Sequence, residues 1–180
     1  MKIFPNIQKV RHKLLNEFKG KRILDLHHTT KLEPSHLGCE SHHDLTKFPW
    51  PIADNSYDLI LCQKVLEYLP DTAKTLEELN RIASPGSKIL LEAPHYSSLE
   101  SSRHISHSHR FSLGTFEYFL KGNPFYKTDF HLADRYIFFD DSAFLFGIGF
   151  LANILPRQYE KRLAFIFPAI SFHITFQVDK

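Results

Sequence analysis

Only His27 to His43 separate an apolar, strand-like segment, Lys21–Leu26, from Asp44, where a second such region begins. That short span decides what the chain can fold into. KRILDL reads as the first strand of an α/β fold, and Asp44–Pro94, from DLTKFPWP to LLEAP, as its second half. A strand, its turn and its crossover helix together take roughly thirty residues or more. The span is too short for that, and Gly38 is its only glycine. The helix between the first two strands is therefore expected to be absent or no more than one turn.

With 180 residues, 43% of them hydrophobic, the chain has room for one full core. Its formal charge is +2 and the charges are interspersed, so no basic stripe points to nucleic acid. Twelve histidines carry most of the pH response, because full protonation would take the charge from +2 to +14 (2 + 12). Two cysteines, Cys39 and Cys62, make no disulfide framework and suit a reducing, cytoplasmic setting. MKIFPNIQKVRHKLLNEFKG is charged throughout and is not read as a signal peptide. The apolar stretch Ser142–Leu155 is too short for a membrane span and is expected to be a buried C-terminal helix.

Periodicity supplies the elements. Ile7, Val10, Leu14, Leu15 and Phe18 have helical spacing that ends at Gly20. Ile23–Leu26 and Tyr57–Cys62 are short apolar strands, the second entered through the turn residues Asp54 and Asn55, which with Asp58 are read as structural. Thr72–Ala83 is an amphipathic helix with Asp71 as N-cap and Leu76, Leu79, Ile82 and Ala83 on its buried face. Ser84–Pro85–Gly86 is expected to end it, and Lys88–Ala93 to be a third buried strand. Apolar runs that barely alternate argue for a parallel sheet covered on both faces. Beyond Pro94 come a His/Ser-rich loop, Tyr96–Arg110, an aromatic helix near Leu113–Leu120, a strand around Arg135–Phe139 and a last strand, Phe172–Val178. The expected layout is one domain over 1–180, with an N-terminal helix to residue 20, a core over 21–94 and an acceptor-side portion over 95–180.

HDLTKFPWPIADNSYDLILCQKVLEYLPD and LEELNRIASPGSKILLEAPHYSS resemble, nearly without gaps, the type 11-like branch of the class I S-adenosylmethionine-dependent methyltransferases. RHISHSHRFSLGTFEYF and YEKRLAFIFPAISFHITFQV extend the likeness to about Arg22–Val178. The resemblance implies a Rossmann-like, mostly parallel sheet reduced at its first βαβ unit, with S-adenosylmethionine as cofactor. It implies cofactor-binding positions at Asp25, Leu26, His27, His28, Asp44, Leu45, Gln63 and Lys64. In such enzymes the loop after the first strand is glycine-rich, because the backbone passes close to the cofactor and a Cβ would block the approach. Leu26–His27–His28 stands at that point, so weak or lost cofactor binding is expected. Only Glu33 and Glu40 offer substitutes for the ribose-binding acid, and Leu37–Gly38–Cys39–Glu40 is read as a coincidental glycine motif.

Ligands of open parallel sheets bind outside the carboxyl ends of the strands. His27, His28, His42, His43 and His95 all leave or approach such ends, and His104, His107 and His109 follow in the loop. His95, Tyr96, His104 and His107 are the candidates for an acceptor-side base, while His104, His107 and His109 form a weak metal candidate. Loop histidines kept for solubility are the plainer explanation. Glu67 is read as a dipole and capping partner. Phe111, Phe116, Tyr118 and Phe119 are read as core or pocket lid, and Cys62 as a buried strand residue. Three functions remain open: a methyltransferase with an unidentified small or macromolecular acceptor, a non-catalytic relative binding a protein partner, or a histidine-lined metal or anion site.

Overall fold

A computed structural model of the chain describes residues 7–27, 31–32, 43–126, 128–140 and 146–180. Its elements begin with α1 (Ile7–Glu17), β1 (Ile23–His27), β2 (Lys31–Leu32), β3 (His43–Asp44) and β4 (Tyr57–Gln63). They continue with α2 (Thr72–Ile82), β5 (Ala83–Pro94), α3 (Leu99–Arg103), β6 (Phe130–Phe138), α4 (Phe146–Ile154), α5 (Pro156–Arg162) and β7 (Ser171–Val178). Leu66–Tyr68 and Leu113–Phe119 are 3₁₀ helices.

The main sheet has the order β1-β4-β5-β7-β6. β1, β4 and β5 pair in parallel, as the apolar runs predict. β7 is antiparallel to both of its neighbours, so it alone runs against the other four. This is the expected Rossmann-like, mostly parallel sheet. β2 and β3 form a separate antiparallel pair, Lys31 opposite Asp44 and Leu32 opposite His43. The expectation of no helix between the first two strands falls almost entirely outside the described residues.

Alternation along the strands sorts the core. Leu24, Leu26, Ile60, Cys62, Ile89 and Leu91 face α2 and the C-terminal elements. Leu59, Leu61 and Leu90 face the other way, against Leu14 of α1. β4 is buried on both faces from Leu59 to Gln63. Each such aliphatic side chain contributes about 1.5–3 kcal/mol on burial, so the β4–β5 pair anchors the sheet. On α2, Leu76, Leu79 and Ile82 are all inaccessible, and the Asp71 carboxylate caps the helix by accepting from Lys74 N at 2.9 Å.

Three local expectations are corrected. Ser84–Pro85–Gly86 is not a stop between helix and strand but the opening of β5, because Ala83 already has extended backbone. β6 starts at Phe130, earlier than the expected Arg135, and a register shift between Leu132 and Asp134 had disguised its alternation. The helix within Ser142–Leu155 is only half covered: Ala152 is buried, while Phe150, Leu151 and Ile154 are exposed. A helix apolar around its whole circumference cannot bury every side against one sheet.

Gly86 has φ +76°, and a Cβ there would meet nothing within 4 Å. Gly86→Ala therefore isolates backbone strain from steric clash. It is expected to lower unfolding free energy by about 1–2 kcal/mol in chemical denaturation, with the denaturant slope unchanged.

Candidate functional site

At the carboxyl edge the strand registers line up one cross-sheet row: His27 opposite Gln63, Gln63 opposite Glu92, Glu92 opposite His173 and His173 opposite Tyr136. Its inner members are polar and inaccessible, with Gln63 and His173 at 0% exposure and Glu92 at 4%. Gln63 Nε2 donates to Glu92 Oε2 at 2.8 Å. A carboxylate only accepts, so Glu92 dictates which end of the amide faces it. The other end, Gln63 Oε1, is a buried acceptor with no partner. The next residue, Lys64, has φ +55° and turns the chain away, its N–H donating to Glu92 O at 2.9 Å.

Glu67, expected to be a capping partner, is instead buried at 2% exposure. Burial, with Glu92 adding repulsion, pushes its carboxyl up to about 7, and its Oε2 has no partner. His173 is likewise isolated: burial pushes its imidazole down to about 4, and neither ring nitrogen has a partner. The ring packs against Tyr136 and Phe138 at centroid distances of 5.1 and 5.3 Å. Orphaned buried polar atoms cost folding free energy, typically 1–3 kcal/mol each. Ligands of α/β sheets bind at this edge, which makes it the candidate functional site.

The other cofactor positions divide. Leu26 is core, and Asp25 forms an ion pair with Arg11 of α1, which gives it a structural role. Asp44 Oδ1 accepts from Thr46 N at 2.9 Å and Thr46 Oγ1 at 2.8 Å. These bonds hold its carboxyl below the usual carboxylate range. Leu45 is fully buried behind it, its carbonyl taking Trp50 Nε1 at 3.1 Å. His28, Glu33, Cys39, Glu40 and His42 lie outside the described residues.

Among the described residues, the histidines His43, His95 and His109 are each held by separate partners. His95 is fully buried, with Nδ1 2.8 Å from Ser97 Oγ and Nε2 3.3 Å from Glu160 Oε1. Tyr96 donates its hydroxyl to Glu160 O, and Glu160 Oε1 also accepts from Leu113 N at 2.7 Å. This cluster pins the loop to α5 and leaves neither His95 nor Tyr96 turned toward a cleft. His43 bonds Lys47 O at 2.8 Å and His109 bonds Pro70 O at 2.9 Å. His104 and His107 stack at 5.4 Å and pack on Tyr68, with His107 Nδ1 3.4 Å from Ser101 O. Among the described residues no group of three or more His, Cys, Asp or Glu could hold a metal ion. Cys62 is buried as expected, and burial raises its thiol.

Glu92 and His173 were missed in the sequence, and each left a trace. Glu92 is a lone charge in the apolar run ILLEAP, and His173 breaks the apolar stretch at Phe172–Phe176. A second feature is a cavity of about 550 Å³ between the start of α2 and the Leu113–Phe119 helix, lined by Asp71, His109, Arg110, Tyr118 and Phe125 among others. It begins beside Pro70, a few residues past Glu67. No helix among the described residues is long and apolar enough to cross a membrane.

Residues 27–91 match the family model described as a methyltransferase domain. No curated protein sequence matches the chain significantly. Among solved structures, an S-adenosylmethionine-dependent methyltransferase from Mesorhizobium loti superposes with a TM-score of 0.60 at 14% identity, covering 96% of this chain and 98% of that one. One from Archaeoglobus fulgidus superposes at 0.55 and 17% identity, covering 96% and 94%. A chain of the Haloferax volcanii complex between the Trm112 methyltransferase activator and a methyltransferase scores 0.49 at 20% identity; 73% of this chain spans only 58% of it.

The two isolated titrating groups pull stability in opposite directions. Glu67 keeps a proton in the native state that the unfolded chain releases, so its contribution falls as pH rises from about 4.5 through about 7. His173 stays neutral where the unfolded chain is protonated, so stability falls as pH drops from 6.5 through about 4. Glu67→Gln is expected to stabilise the protein at pH 8 by about 3 kcal/mol, with the gain gone by pH 4. Urea melts across that range check it.

Proposed function

We propose that this chain belongs to the class I S-adenosylmethionine-dependent methyltransferase family, binds its cofactor weakly over the carboxyl ends of β1 and β4 and transfers methyl groups to an acceptor held on the β5 side. The observation that carries this reading is Gln63 Oε1, a buried acceptor without a partner at the end of β4. It sits at one of the positions the family resemblance assigns to the cofactor.

The residues fit the group on one side. Asp44 commits Oδ1 to Thr46, which leaves Oδ2 for a ligand hydroxyl or amine. Glu92 holds the Gln63 amide so that its oxygen accepts from the ligand. Glu67 Oε2 is a second buried oxygen without a partner, and it becomes a pure acceptor once the carboxyl ionises above about 7. Acceptors gathered at one edge suit a ligand that carries ammonium, amine and sulfonium groups. On the other side the fit is expected to be poor: β1 ends in His27, and the family resemblance expects a glycine there because a Cβ would block the cofactor's approach. When bound, the cofactor supplies an electrophilic methyl group. The chain's own part is to orient and desolvate the partners, which is the main contribution to an in-line transfer.

A second reading, a non-catalytic relative that keeps the fold to bind a partner protein, is favoured by one observation. Phe150 and Ile154 on α4 and Phe165 and Ile166 after α5 are exposed apolar side chains.

Calorimetry separates the two. With S-adenosylmethionine or S-adenosylhomocysteine the wild type is expected to bind at about 10⁻⁴ M or weaker, about −5.5 kcal/mol. His27→Gly with His28→Gly is expected to tighten binding about tenfold, about 1.4 kcal/mol. A low micromolar wild-type constant would overturn the narrowed-cradle argument, and absence of binding to both proteins would favour the second reading.

A further inference from the structure

The cavity between α2 and the Leu113–Phe119 helix has a chemistry that the crest over β1 and β4 does not use. Its volume, about 550 Å³, lies in the range of small-molecule sites, about 300–1,000 Å³. Phe111 and Phe119 are buried at 3% and 4% exposure, and Tyr126 stacks on Phe119 with centroids 4.2 Å apart. Two further wall residues are left open to water: Tyr118 at 52% exposure and Phe125 at 72%, meeting edge to face at 5.8 Å. Exposed aromatic rings at the mouth of a cavity offer a planar ring the offset or edge contacts that aromatic pairs prefer.

The charge on the wall has one sign to spare. Arg110 is exposed and, among the described residues, has no hydrogen-bond or ion-pair partner. Asp71, the acid on the wall, is already committed: Oδ1 accepts from Lys74 N at 2.9 Å and Oδ2 lies 3.5 Å from Lys74 Nζ. His109 is held by Pro70 O, which keeps it fixed beside Arg110. Thr72, in the first turn of α2, leaves its Oγ1 buried and unpartnered at the same wall. The helix start adds a partial positive charge there.

We propose that this cavity binds a planar aromatic acid, its ring against Tyr118 and Phe125 and its carboxylate on the Arg110 guanidinium. A carboxylate is the planar anion that matches the guanidinium fork in two parallel hydrogen bonds. Binding of the acid needs no cofactor; only its identification as the methyl acceptor rests on the reading above.

The test compares indole-3-carboxylate with indole-3-carboxamide by calorimetry, without cofactor, on the full chain. The wild type is expected to bind the carboxylate at least about tenfold more tightly than the amide. Arg110→Gln is expected to bring that ratio to about one while amide binding persists, and Arg110→Lys to restore part of it. Phe125→Ala is expected to weaken both ligands several-fold. Arg110 and Phe125 are exposed, and unchanged melting temperatures verify that the variants fold. A wild-type ratio near one, a ratio that survives Arg110→Gln, or absence of binding by both compounds overturns the proposal. Failure of S-adenosylmethionine binding leaves this result untouched, so the two readings fail separately.

Discussion

The parallel pairing of β4 with β5 is the constraint from which the remaining geometry follows. β4 is inaccessible on both faces from Leu59 to Gln63, so a slip of one residue would force every side chain into packing built for the opposite face. That register sets Leu61 against Leu90, Cys62 against Leu91 and Gln63 against Glu92. The same alternation that buries the aliphatic residues therefore delivers an amide and a carboxylate side by side at the carboxyl edge. Their hydrogen bond fixes the amide's orientation and leaves one buried acceptor without a partner at that edge. β7 extends the row by placing His173 against Glu92.

Elements with strong periodicity were legible in the sequence. α2 has its cap at Asp71 and its inner face at Leu76, Leu79 and Ile82 as expected, because helix spacing and a capping carboxylate are local signals. The parallel order of β1, β4 and β5 was legible for the same reason. Gly86 misled because a Ser-Pro-Gly triplet has the composition of a turn, yet here it enters a strand directly from the helix. β6 was legible only in its second half, since its bulge interrupts the alternation.

The candidate site was less legible. Gln63 and Lys64 were found through resemblance, and the structure explains their setting. Glu92 and His173 become prominent only through pairing between segments far apart in the chain, which no local pattern encodes. The histidines illustrate the opposite error. His27, His43, His95, His104 and His107 share proximity to strand ends in sequence, but ring direction depends on partners such as Glu160 for His95 and Lys47 O for His43. Residue type and position suggested a cluster; hydrogen bonding gives the described His43 and His95 separate partners instead.

The amino edge of the sheet is stitched closed. Arg22 joins Asp58 at 3.0 Å and Ser84 at 2.9 Å. Arg81 spans Asp54, Glu78 and the carbonyls of Trp50 and Ile52. Lys180 donates to Asn55, Arg81 O and Ala83 O. The loops that begin β1, β4 and β5 are thus tied to one another by these three cations. At the far end Gln63 Oε1, Glu67 Oε2 and both His173 ring nitrogens are without partners. Such a division separates foundation from specificity. Residues around Gln63, Glu67 and Arg110 can drift toward a new ligand while the networks that hold the strands in place stay unchanged, so the scaffold tolerates a change of substrate at little structural cost.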